Sequence, residues 1–496
     1  MKFSIVLINP GPVFKPKESR KGITNTQLFP PLSLLYLSSI LKNNSYQVDI
    51  IDQTAHNMYL EGILKWIKRR DPEIVAFSAL IHPYCSVSSR IISREIKKWN
   101  PNLKIVFGNR HATFNDFRIL QAYPFVDVCV RGEGEYTFLE LVDAFSKGKS
   151  LKNVKGITYR EDGKIRRNED RELLKNLDEL PFPDRKILNY DYRPAVGGIH
   201  LFPSGFTTIS ASRGCPFNCR FCPSHNFYGF RVRSIENIIE EFELLENEGF
   251  KFLNFIDDHF TVNKKRVLKF CNQLKKNRID VDWACEGRVD QVSLEMLRGM
   301  QASNCRVLFY GIESANQRLL DYYRKGITPS QSVLAVKKAR QAKIPFIMGS
   351  FVVGAPDETL SEIQNTLRFA DRLDIDLPLL NLLSLTPGSD MWSELVAEGR
   401  INEELYWETG VTAFEIGQGM DRATLNPIVT KALRDFFLNP RRILKTLFRF
   451  FTSSYKLRNL FRVVLSNLQN FSDFAGARSL NVSIRNFSET QEEGAI

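Results

Sequence analysis

The chain has 496 residues, of which 43% are hydrophobic and 25% are charged. This composition is typical of a folded globular protein and excludes collagen-like and intrinsically disordered chains. The formal net charge is +12, and much of it lies in residues 431–462, which hold nine basic residues against the single acid Asp435. No run of about 18 apolar residues and no secretory leader occurs, so we expect a cytoplasmic protein that does not span a membrane.

The first 148 residues alternate between apolar runs of strand length and stretches of helical period. Helical period is clear at 32–41 and 91–99, and the apolar runs lie at 3–8, 48–51, 74–77, 105–107 and 126–130. Strands that alternate with amphipathic helices predict an α/β domain with a doubly wound, Rossmann-like parallel sheet. Such sheets bind ligands beyond the carboxyl ends of their strands. We therefore expect a binding crevice formed by the loops at 9–11, 52–57, 78–83, 108–113 and 131–135.

Residues 149–205 are predicted to connect this domain to a second one. Asp162-Gly163 predicts a tight hairpin turn between short strands at 157–160 and 165–167. The later segment Pro181-Phe182-Pro183 favours extended backbone and ends any helix.

Residues 206–400 return to alternating strands and helices at a longer period. Strands are predicted at 206–211, 252–256, 281–286, 306–310, 345–353 and 379–385, and helices at 235–248, 264–276, 294–301, 330–343 and 360–373. Six such units predict a partial (β/α)6 TIM barrel, whose chemistry is expected at the carboxyl ends of the strands. Residues 401–496 lose the alternation and are predicted to form a small basic helical region with a loose tail after 472.

Three of the eight cysteines lie close together, directly after the first predicted barrel strand. Cys215, Cys219 and Cys222 form a C-x3-C-x2-C pattern. A structural zinc site needs four ligands, usually from two C-x2-C pairs, and the sequence contains no second pair. Three thiolates can instead bind three irons of a [4Fe–4S] cube and leave the fourth iron open. The alternative is zinc with His225 as the fourth ligand, which would make the chain a zinc-binding scaffold protein.

The segment SRGCPFNCRFC at 212–222 resembles the cluster-binding loop of radical S-adenosylmethionine (SAM) enzymes. The similarity is greatest to the branch that carries an N-terminal cobalamin (B12)-binding domain, which includes radical SAM methyltransferases and the anaerobic magnesium-protoporphyrin IX monomethyl ester cyclase. Further pieces match in the same order, namely INP at 8–10, PPLSLLYL at 30–37, VRGEGE at 130–135, DDHF at 257–260, GIES at 311–314, GAPDET at 354–359 and TPGS at 386–389. Residues 214–222 are called the cluster loop below.

The resemblance implies three cofactors: a [4Fe–4S] cluster, SAM and cobalamin. Cys215, Cys219 and Cys222 would ligate the cluster, and the open iron would chelate SAM. One-electron reduction would then cleave SAM to a 5′-deoxyadenosyl radical, while the protein orients the cofactors and excludes water. The residues expected on the SAM side are Phe221, Gly311, Glu313, Asp257 and Asp258. For the two aspartates, a solvated loop or a helix cap is the alternative.

On the cobalamin side, the residues expected in the crevice are Asn9, Ser78, Gly108, Gly132 and Glu133. The sequence departs from the family at two points there. The D-x-H-x-x-G motif, whose histidine ligates cobalt, has Thr54 in place of the histidine, so no lower axial ligand is assigned. His56 is expected to be an ordinary loop histidine. Asn109 stands where the family often has a second glycine.

These features predict a radical SAM enzyme that methylates an unactivated carbon of a small-molecule or lipid-like substrate. Radical ring closure or rearrangement of the porphyrin-ester-cyclase type is the alternative. A tRNA methylthiotransferase would need three further cluster cysteines in the first domain, where only Cys85 and Cys129 occur. An external one-electron reductant such as flavodoxin or ferredoxin is implied. No catalytic side chain is assigned.

The basic, phenylalanine-rich stretch 436–464 has three interpretations. It resembles an interfacial helix suited to anionic lipid, which would bring the enzyme to the inner face of a membrane. A nucleic-acid patch is a further alternative, but we do not expect a nucleic-acid partner. The interpretation that we favour is a helix that packs its aromatic side chains on the barrel and leaves its lysines and arginines in solvent.

Overall fold

The computed structural model describes residues 3–11, 29–79, 83–196, 199–200, 205–409 and 420–452. Within these ranges the chain forms two parallel sheets, a connecting segment and a helical C-terminal region. No helix in these ranges is long and apolar enough to cross a membrane. The predictions for 453–496, which include the loose tail and part of the basic stretch, lie outside the described residues.

The N-terminal domain is a seven-stranded sheet with helices on both faces. Its strands are β1 (Ser4–Asn9), β2 (Gln47–Asp52), β3 (Ile74–Ser78), β4 (Lys104–Gly108), β5 (Val128–Val130), β6 (Ile157–Glu161) and β7 (Lys164–Arg167), and its helices are α1 (Leu32–Asn43), α2 (Leu60–Arg70), α3 (Pro83–Trp99), α4 (Asn109–Ala122) and α5 (Gly134–Ser146). The order is β2-β1-β3-β4-β5-β6-β7, and β1 to β5 are parallel. Helices α1 and α5 cover one face and α2, α3 and α4 the other, which explains strands that are apolar on both sides. The predicted doubly wound sheet is confirmed.

The hairpin at Asp162-Gly163 forms as predicted, but it extends the N-terminal sheet. Strand β6 pairs antiparallel with β5, and β7 pairs antiparallel with β6. The turn residues specify a hairpin locally, whereas the strand to which the hairpin attaches depends on tertiary packing. The first part of the predicted connector is therefore an edge of the first sheet.

The second sheet is a partial barrel of six parallel strands in chain order. Its strands are β10 (Phe206–Ile209), β13 (Phe252–Phe255), β14 (Asp282–Gly287), β15 (Cys305–Glu313), β16 (Phe346–Val353) and β17 (Leu377–Leu382), and the helices between them are α7 (Ile235–Asn247), α8 (Lys264–Lys276), α9 (Leu294–Ala302), α10 (Gln317–Tyr322), α11 (Pro329–Gln341) and α12 (Leu360–Arg372). Capping boxes at Thr328 and Thr359 start α11 and α12. The predicted (β/α)6 architecture is confirmed.

Short elements complete the chain. They are β8 (Ala195–Val196), β9 (Ile199–His200), β11 (Ser212–Arg213), α6 (Ser224–Phe227), β12 (Arg231–Val232), α13 (Asp390–Ala397), α14 (Glu403–Thr409), α15 (Arg422–Leu438) and α16 (Pro440–Thr452). The connector is held to the barrel by a buried ion triad, in which Glu241 of α7 accepts from Arg185 at 2.7 Å and from Arg233 at 2.5 Å. Pairing and hydrogen bonding reduce the desolvation cost of burying these three charges.

The core of the N-terminal domain continues into the interior of the barrel. One cluster of buried apolar side chains includes α1, α5 and the connector together with inward-facing barrel residues, namely Phe206, Phe252, Ala284, Val307, Met348 and Leu377. The ring of Phe29, which precedes α1, lies 5.6 Å from that of Phe206. The two domains are thus packed together below the carboxyl-end mouth of the barrel.

Candidate active site

The cluster loop follows β11 at the mouth of the barrel and has a shape that its sequence enforces. Gly214 has a φ of +76°, and a Cβ there would lie 2.6 Å from the carbonyl oxygen of Tyr228, so only glycine fits. Further along, the N–H of Arg220 donates to the carbonyl of Tyr323 at 3.0 Å, and the carbonyl of Arg220 accepts from the N–H of Met391 at 3.0 Å. The loop is therefore tied to two other segments of the barrel.

The three cysteines of the loop are free thiols in differing surroundings. Cys219 is 7% exposed, whereas Cys215 and Cys222 are half-buried. Burial raises the pKa of Cys215 to about 11. Burial also raises the pKa of Cys219, but the nearby cations of Lys325 and Arg288 oppose that shift. A thiolate at Cys219, which is the form that binds metal, is thus provided with two positive neighbours.

Three thiolates on one loop are a donor set suited to an iron–sulfur cube with one open iron. Within the described residues, no three His, Cys, Asp or Glu side chains surround one point at which a metal ion could be held. A cube takes one thiolate on each of three separate irons, so its ligands are spread more widely. His225, the fourth ligand in the zinc alternative, instead lies 3.2 Å from Oδ1 of Asp390 through its Nε2.

The predicted SAM-side residues Gly311 and Glu313 form a compact unit with Lys325. Glu313 ends β15 with a φ of +67°, a strained conformation for a residue with a side chain. Its Oε1 accepts from Nζ of Lys325 at 2.6 Å, and both side chains are buried. A Cβ on Gly311 would lie 2.7 Å from Oε1 of Glu313 and 2.8 Å from Nζ of Lys325. Glycine at 311 therefore makes room for the ion pair.

The two neighbouring aspartates after β13 have different roles. Asp257 is buried and accepts from the N–H of Ala211 at 2.9 Å and from the hydroxyl of Ser212, so it orients the segment that enters the cluster loop. These hydrogen bonds direct its carboxylate to the backbone, and the expected contact with SAM or substrate stays a prediction. Asp258 does reach the mouth, where it accepts from the hydroxyl of Ser224 at 2.8 Å and lies 3.7 Å from Arg110.

Aromatic rings pack against the loop on both sides. Phe221, which was predicted on the SAM side, packs edge-on against Tyr323 with ring centroids 5.3 Å apart. Phe217 lies under the guanidinium of Arg288, which is 3.8 Å from the ring centroid, and 5.4 Å from the ring of His259. Arg288 also approaches Cys219, with Nη1 4.0 Å from Sγ. These contacts fix the guanidinium beside the most enclosed thiol.

Glu286 is a mouth residue that the sequence analysis missed. Trp283 and Cys285 of β14 belong to the core beneath the helices, whereas Ala284 faces the barrel interior, so strand alternation turns Glu286 inward. Its side chain is accessible to solvent although the barrel surrounds it. Desolvation, with repulsion from Asp258 as the next cause, raises the pKa of Glu286 to about 7. The sequence did contain a signal for this residue, because Glu286 is a charged residue at the carboxyl end of the predicted strand 281–286.

The predicted cobalamin-side residues at the ends of β1, β3, β4 and β5 meet at one edge of the sheet. Ser78 and Gly108 are register partners, and Asn9 ends β1. Gly132 has a φ of +67°, and a Cβ there would have no heavy atom within 4 Å. A Cβ on Gly108 would meet only the carbonyl oxygen of Phe77, at 4.0 Å. These backbone positions leave open space, which fits the close approach of a large planar cofactor.

The departure from the family pattern at Asn109 has a structural explanation. Asn109 has a φ of +75°, the left-handed conformation that glycine and asparagine adopt most readily, and its Nδ2 donates to the hydroxyl of Ser78 at 3.0 Å. The bend therefore forms without glycine. His56 lies in the turn after β2 as expected, with its Nε2 3.2 Å from the carbonyl oxygen of Leu188.

Glu133 lies next to the cluster loop, and its place on the cobalamin side stays a prediction. Its carboxylate accepts from Arg213 at 2.8 Å and from Arg231 at 2.9 Å. Arg110 of α4, a residue absent from the sequence-based site, also crosses between the domains, because its Nη2 donates to the hydroxyl of Ser224 at 3.2 Å. The spacing of residues in the sequence does not predict either of these contacts between the domains.

Comparisons with known proteins identify the families of both domains. Residues 209–370 match the family model of the Radical SAM superfamily, and residues 22–142 match that of the B12 binding domain. An uncharacterized methyltransferase of Pyrococcus horikoshii is 36% identical over 441 residues, which cover 88% of this chain and 94% of that protein. The anaerobic magnesium-protoporphyrin IX monomethyl ester cyclase of Cereibacter sphaeroides is 29% identical over 381 residues, 74% of this chain and 60% of the cyclase.

Solved structures share the fold. The radical SAM methyltransferase TsrM of Kitasatospora setae, with cobalamin and a [4Fe–4S] cluster bound, aligns with a TM-score of 0.63 and 18% identity over 80% of this chain and 75% of that one. The cobalamin-dependent SAM radical enzyme OxsB aligns with a TM-score of 0.60 and 22% identity, over 84% of this chain and 58% of OxsB. The chain therefore belongs to the radical SAM enzymes that carry an N-terminal B12-binding domain, with a [4Fe–4S] cluster, SAM and cobalamin as its cofactors.

Proposed function

We propose that the enzyme transfers a methyl group to an unactivated carbon of a small-molecule or lipid-like substrate. The observation that carries this proposal is that the cobalamin-side edge of the N-terminal sheet contacts the mouth of the barrel, where the cluster loop lies. Arg110, which follows the open edge at Gly108, reaches Ser224 and Asp258 at the barrel mouth. A substrate held at this junction would face both regions, as methyl transfer to a radical carbon requires. The methyltransferase relatives give further support.

In this proposal Cys215, Cys219 and Cys222 each ligate one iron of the cluster. The cations of Arg288 and Lys325 offset the negative charge of the buried thiolate at Cys219. Phe217 and Phe221 pack against other side chains around the loop and exclude water from it. When bound, the cluster and SAM supply a radical that abstracts hydrogen, and cobalamin supplies the methyl group.

The remaining mouth residues would orient SAM and the substrate. Gly311 lets the Glu313–Lys325 pair lie against the end of β15, where the pair would face SAM, and Asp258 and Glu286 present carboxyl groups at the same mouth. On the other side, Asn9, Ser78, Gly108 and Gly132 would line the cobalamin crevice. No lower axial ligand is proposed, because Thr54 stands at the position of the cobalt-binding histidine.

The test of the reaction uses anaerobically reconstituted enzyme and methyl-deuterated SAM. Analysis of iron, sulfide and zinc first establishes whether the protein binds an iron–sulfur cluster or is a zinc-binding scaffold. Extracts of a deletion strain, compared with wild type by untargeted mass spectrometry, provide the candidate substrates. We expect 5′-deoxyadenosine to form and a product that carries the deuterated methyl group. Formation of 5′-deoxyadenosine with an unlabelled product would contradict methyl transfer.

Radical ring closure is the second candidate, favoured by the similarity to the ester cyclases. It shares the proposed cluster, SAM and cobalamin sites and differs only in the fate of the substrate radical. The same labelling experiment distinguishes the two, because a cyclised product loses hydrogen and gains no deuterium.

An external one-electron donor such as flavodoxin or ferredoxin is proposed to reduce the cluster. The formal net charge of +12 would favour encounter with an acidic carrier. This interaction predicts that SAM cleavage driven by flavodoxin slows as the ionic strength rises.

We also propose a peripheral contact between the C-terminal helices and anionic lipid. In α16 two basic side chains reach the barrel: Lys445 lies 2.8 Å from Asp374, and Arg449 lies 2.6 Å from the same carboxylate. Leu444 and Phe448, on a neighbouring face of the helix, are 68% and 69% exposed. Apolar side chains turned outward, with exposed cations nearby at Lys431 and Arg441, suit insertion into an anionic membrane surface.

A further inference from the structure

Two short antiparallel strands beside the cluster loop form a ribbon in which two like charges face each other. Its two strands, β11 and β12, contain two residues each, and Arg213 lies directly opposite Arg231. Like charges at directly opposed positions destabilise a strand pair. A ribbon this short is also unstable without outside support. Closure of the ribbon therefore requires counter-charges from elsewhere in the fold.

Glu133 supplies the counter-charge to both arginines. Its Oε1 accepts from Nη1 of Arg213 at 2.8 Å and from Nη2 of Arg231 at 2.9 Å, and its Oε2 accepts from Nη1 of Arg231 at 2.9 Å. The same Oε2 accepts from the N–H of Leu174 at 2.9 Å. Glu135 adds a second carboxylate, whose Oε1 lies 2.5 Å from Nη2 of Arg213. The side chains of Glu133 and Glu135 are 8% and 10% exposed.

Both glutamates come from the other domain. Glu133 directly follows Gly132, whose surroundings are open, and Glu135 lies in the first turn of α5. Tyr36 of α1 adds a third contact from that domain, with the guanidinium of Arg213 5.5 Å from its ring centroid. The segment that closes the cluster loop is thus neutralised by the domain that binds cobalamin.

The ribbon sets the position of the first cysteine. Arg213 is followed directly by Gly214 and Cys215, and Gly214 packs against the carbonyls of Tyr228 and Gly229, which lead into β12. We propose that Glu133, assisted by Glu135, is a positioning residue that holds the cluster loop from the N-terminal domain by neutralising the opposed pair Arg213 and Arg231. Loss of this counter-ion would open the ribbon and displace Cys215.

A charge-removal cycle tests the proposal in the full-length chain. The variants are Glu133→Gln, Arg231→Gln and the double variant, and the matched control is Glu140→Gln, which removes a surface ion pair with Arg171 in the same domain. Hydrogen exchange of residues 212–232 is measured on cofactor-free protein. Iron release to a chelator and the EPR spectrum of the reduced cluster with SAM are measured on reconstituted protein.

We expect Glu133→Gln to raise exchange in 212–232 and to speed iron release by roughly tenfold or more, because it leaves buried charges unpaired. Arg231→Gln should have little effect on exchange in 212–232 or on the rate of iron release. The double variant should exchange more slowly than Glu133→Gln, because it no longer holds two opposed cations. The control should match wild type in exchange, iron release and EPR spectrum.

Three results would overturn the proposal. They are wild-type exchange in Glu133→Gln, a double variant that exchanges as fast as Glu133→Gln, and a rise in exchange spread over the whole N-terminal sheet, which would mean general unfolding. The iron-release arm rests on the proposed cysteine ligands, whereas the exchange arm does not. Wild-type protein that takes up no iron would therefore refute the ligands and leave the exchange result standing.

Discussion

At the residue scale, the site depends on how single charges are paired. Cys219 is the most enclosed thiol of the cluster loop, and its nearest cations belong to Arg288 and Lys325. A buried thiolate without such partners would carry a large desolvation cost. The sequence predicts the three cysteines from their spacing, but it does not reveal the two cations, because they follow different strands and meet the loop only in the folded barrel.

The first prediction concerns Cys219. We expect Cys219→Ala to abolish reductive cleavage of SAM and to lower the iron content, since one iron of the cluster loses its ligand. The measurement is 5′-deoxyadenosine formed under strong reductant, together with iron and sulfide analysis. Cys271→Ala, which removes a buried thiol of α8, serves as the control and should retain cleavage. Cleavage at the wild-type rate by Cys219→Ala would refute the ligand assignment.

Neighbouring residues of like type show where sequence reasoning stops. Asp257 and Asp258 are adjacent acids after the same strand, yet one supports the backbone at Ala211 and the other reaches the mouth. The pattern locates both at the correct end of the barrel. Which of the two carboxylates makes structural hydrogen bonds depends on the backbone dihedral angles and on the position of Ser212. The local sequence specifies neither.

The second prediction concerns the pH dependence produced by Glu286. Its pKa is about 7 in the fold, against about 4.3 in an unfolded chain. Between these values the unfolded state binds fewer protons, so stability falls as the pH rises and the loss is complete above about pH 7. Glu286→Gln removes this loss. The cofactor-free variant should therefore melt at a higher temperature than wild type at about pH 8, and the difference should shrink towards about pH 5.

The control for this experiment is Glu295→Gln, on the exposed side of α9, where the glutamate pairs with Lys264 at 2.5 Å. Its effect on the melting temperature should not grow over the same pH range. A difference between Glu286→Gln and wild type that is constant with pH would mean that Glu286 titrates normally.

At the element scale, periodicity predicts the regular elements well. All six barrel strands and five of the six helices between them lie within a few residues of their predicted bounds, because each buries a continuous apolar face. The short helix α10 was not predicted. Elements of two residues, such as β11 and β12, carry no periodic signal. The sequence also does not show which face of an amphipathic helix packs on the rest of the protein, because the pattern defines only that there are two faces.

Helix α16 illustrates this last point. The favoured interpretation of the tail places its aromatic side chains on the barrel, and Phe436 and Phe437 of α15 do pack against the barrel core. In α16, however, Phe448 is exposed and several basic side chains contact the barrel. Arg442 stacks on Phe436 at 3.7 Å and donates to Asp371 at 3.0 Å. Although burial acts to raise it, Arg449 and Lys445 lower the pKa of Asp374 to about 2. An acidic rim on the barrel has thus attracted the basic face of the helix.

The third prediction tests the outward face of α16. Leu444→Glu with Phe448→Glu should lower sedimentation of the full chain with anionic vesicles by roughly tenfold or more, since each side chain contributes about 1.5–3 kcal/mol when buried. Leu334→Glu, at a site on α11 that is 49% exposed, is the matched control and should bind as wild type does. Equal sedimentation of all three proteins would exclude this helix as the membrane contact.

At the scale of the whole molecule, the barrel is completed by the domain that precedes it. Its inward-facing Phe206, Phe252 and Met348 lie in one buried cluster with α1, α5 and the connector, and Glu133 and Arg110 cross the same boundary above them. The sequence predicts two α/β units in the correct order. It does not predict their interface, because a six-stranded barrel and a doubly wound sheet each look complete in the pattern of apolar residues.

The final prediction follows from this shared core. The barrel expressed alone as residues 206–400 should expose the side chains that face the N-terminal domain. At about 1.5–3 kcal/mol for each large apolar side chain, several of them together approach the whole stability of a domain. The fragment should therefore bind a hydrophobic dye and lack a cooperative melt, whereas co-expression with residues 1–205 should restore both properties to those of the intact chain. A monomeric fragment with a cooperative melt would show instead that the barrel folds independently and that the shared cluster forms only when finished domains dock.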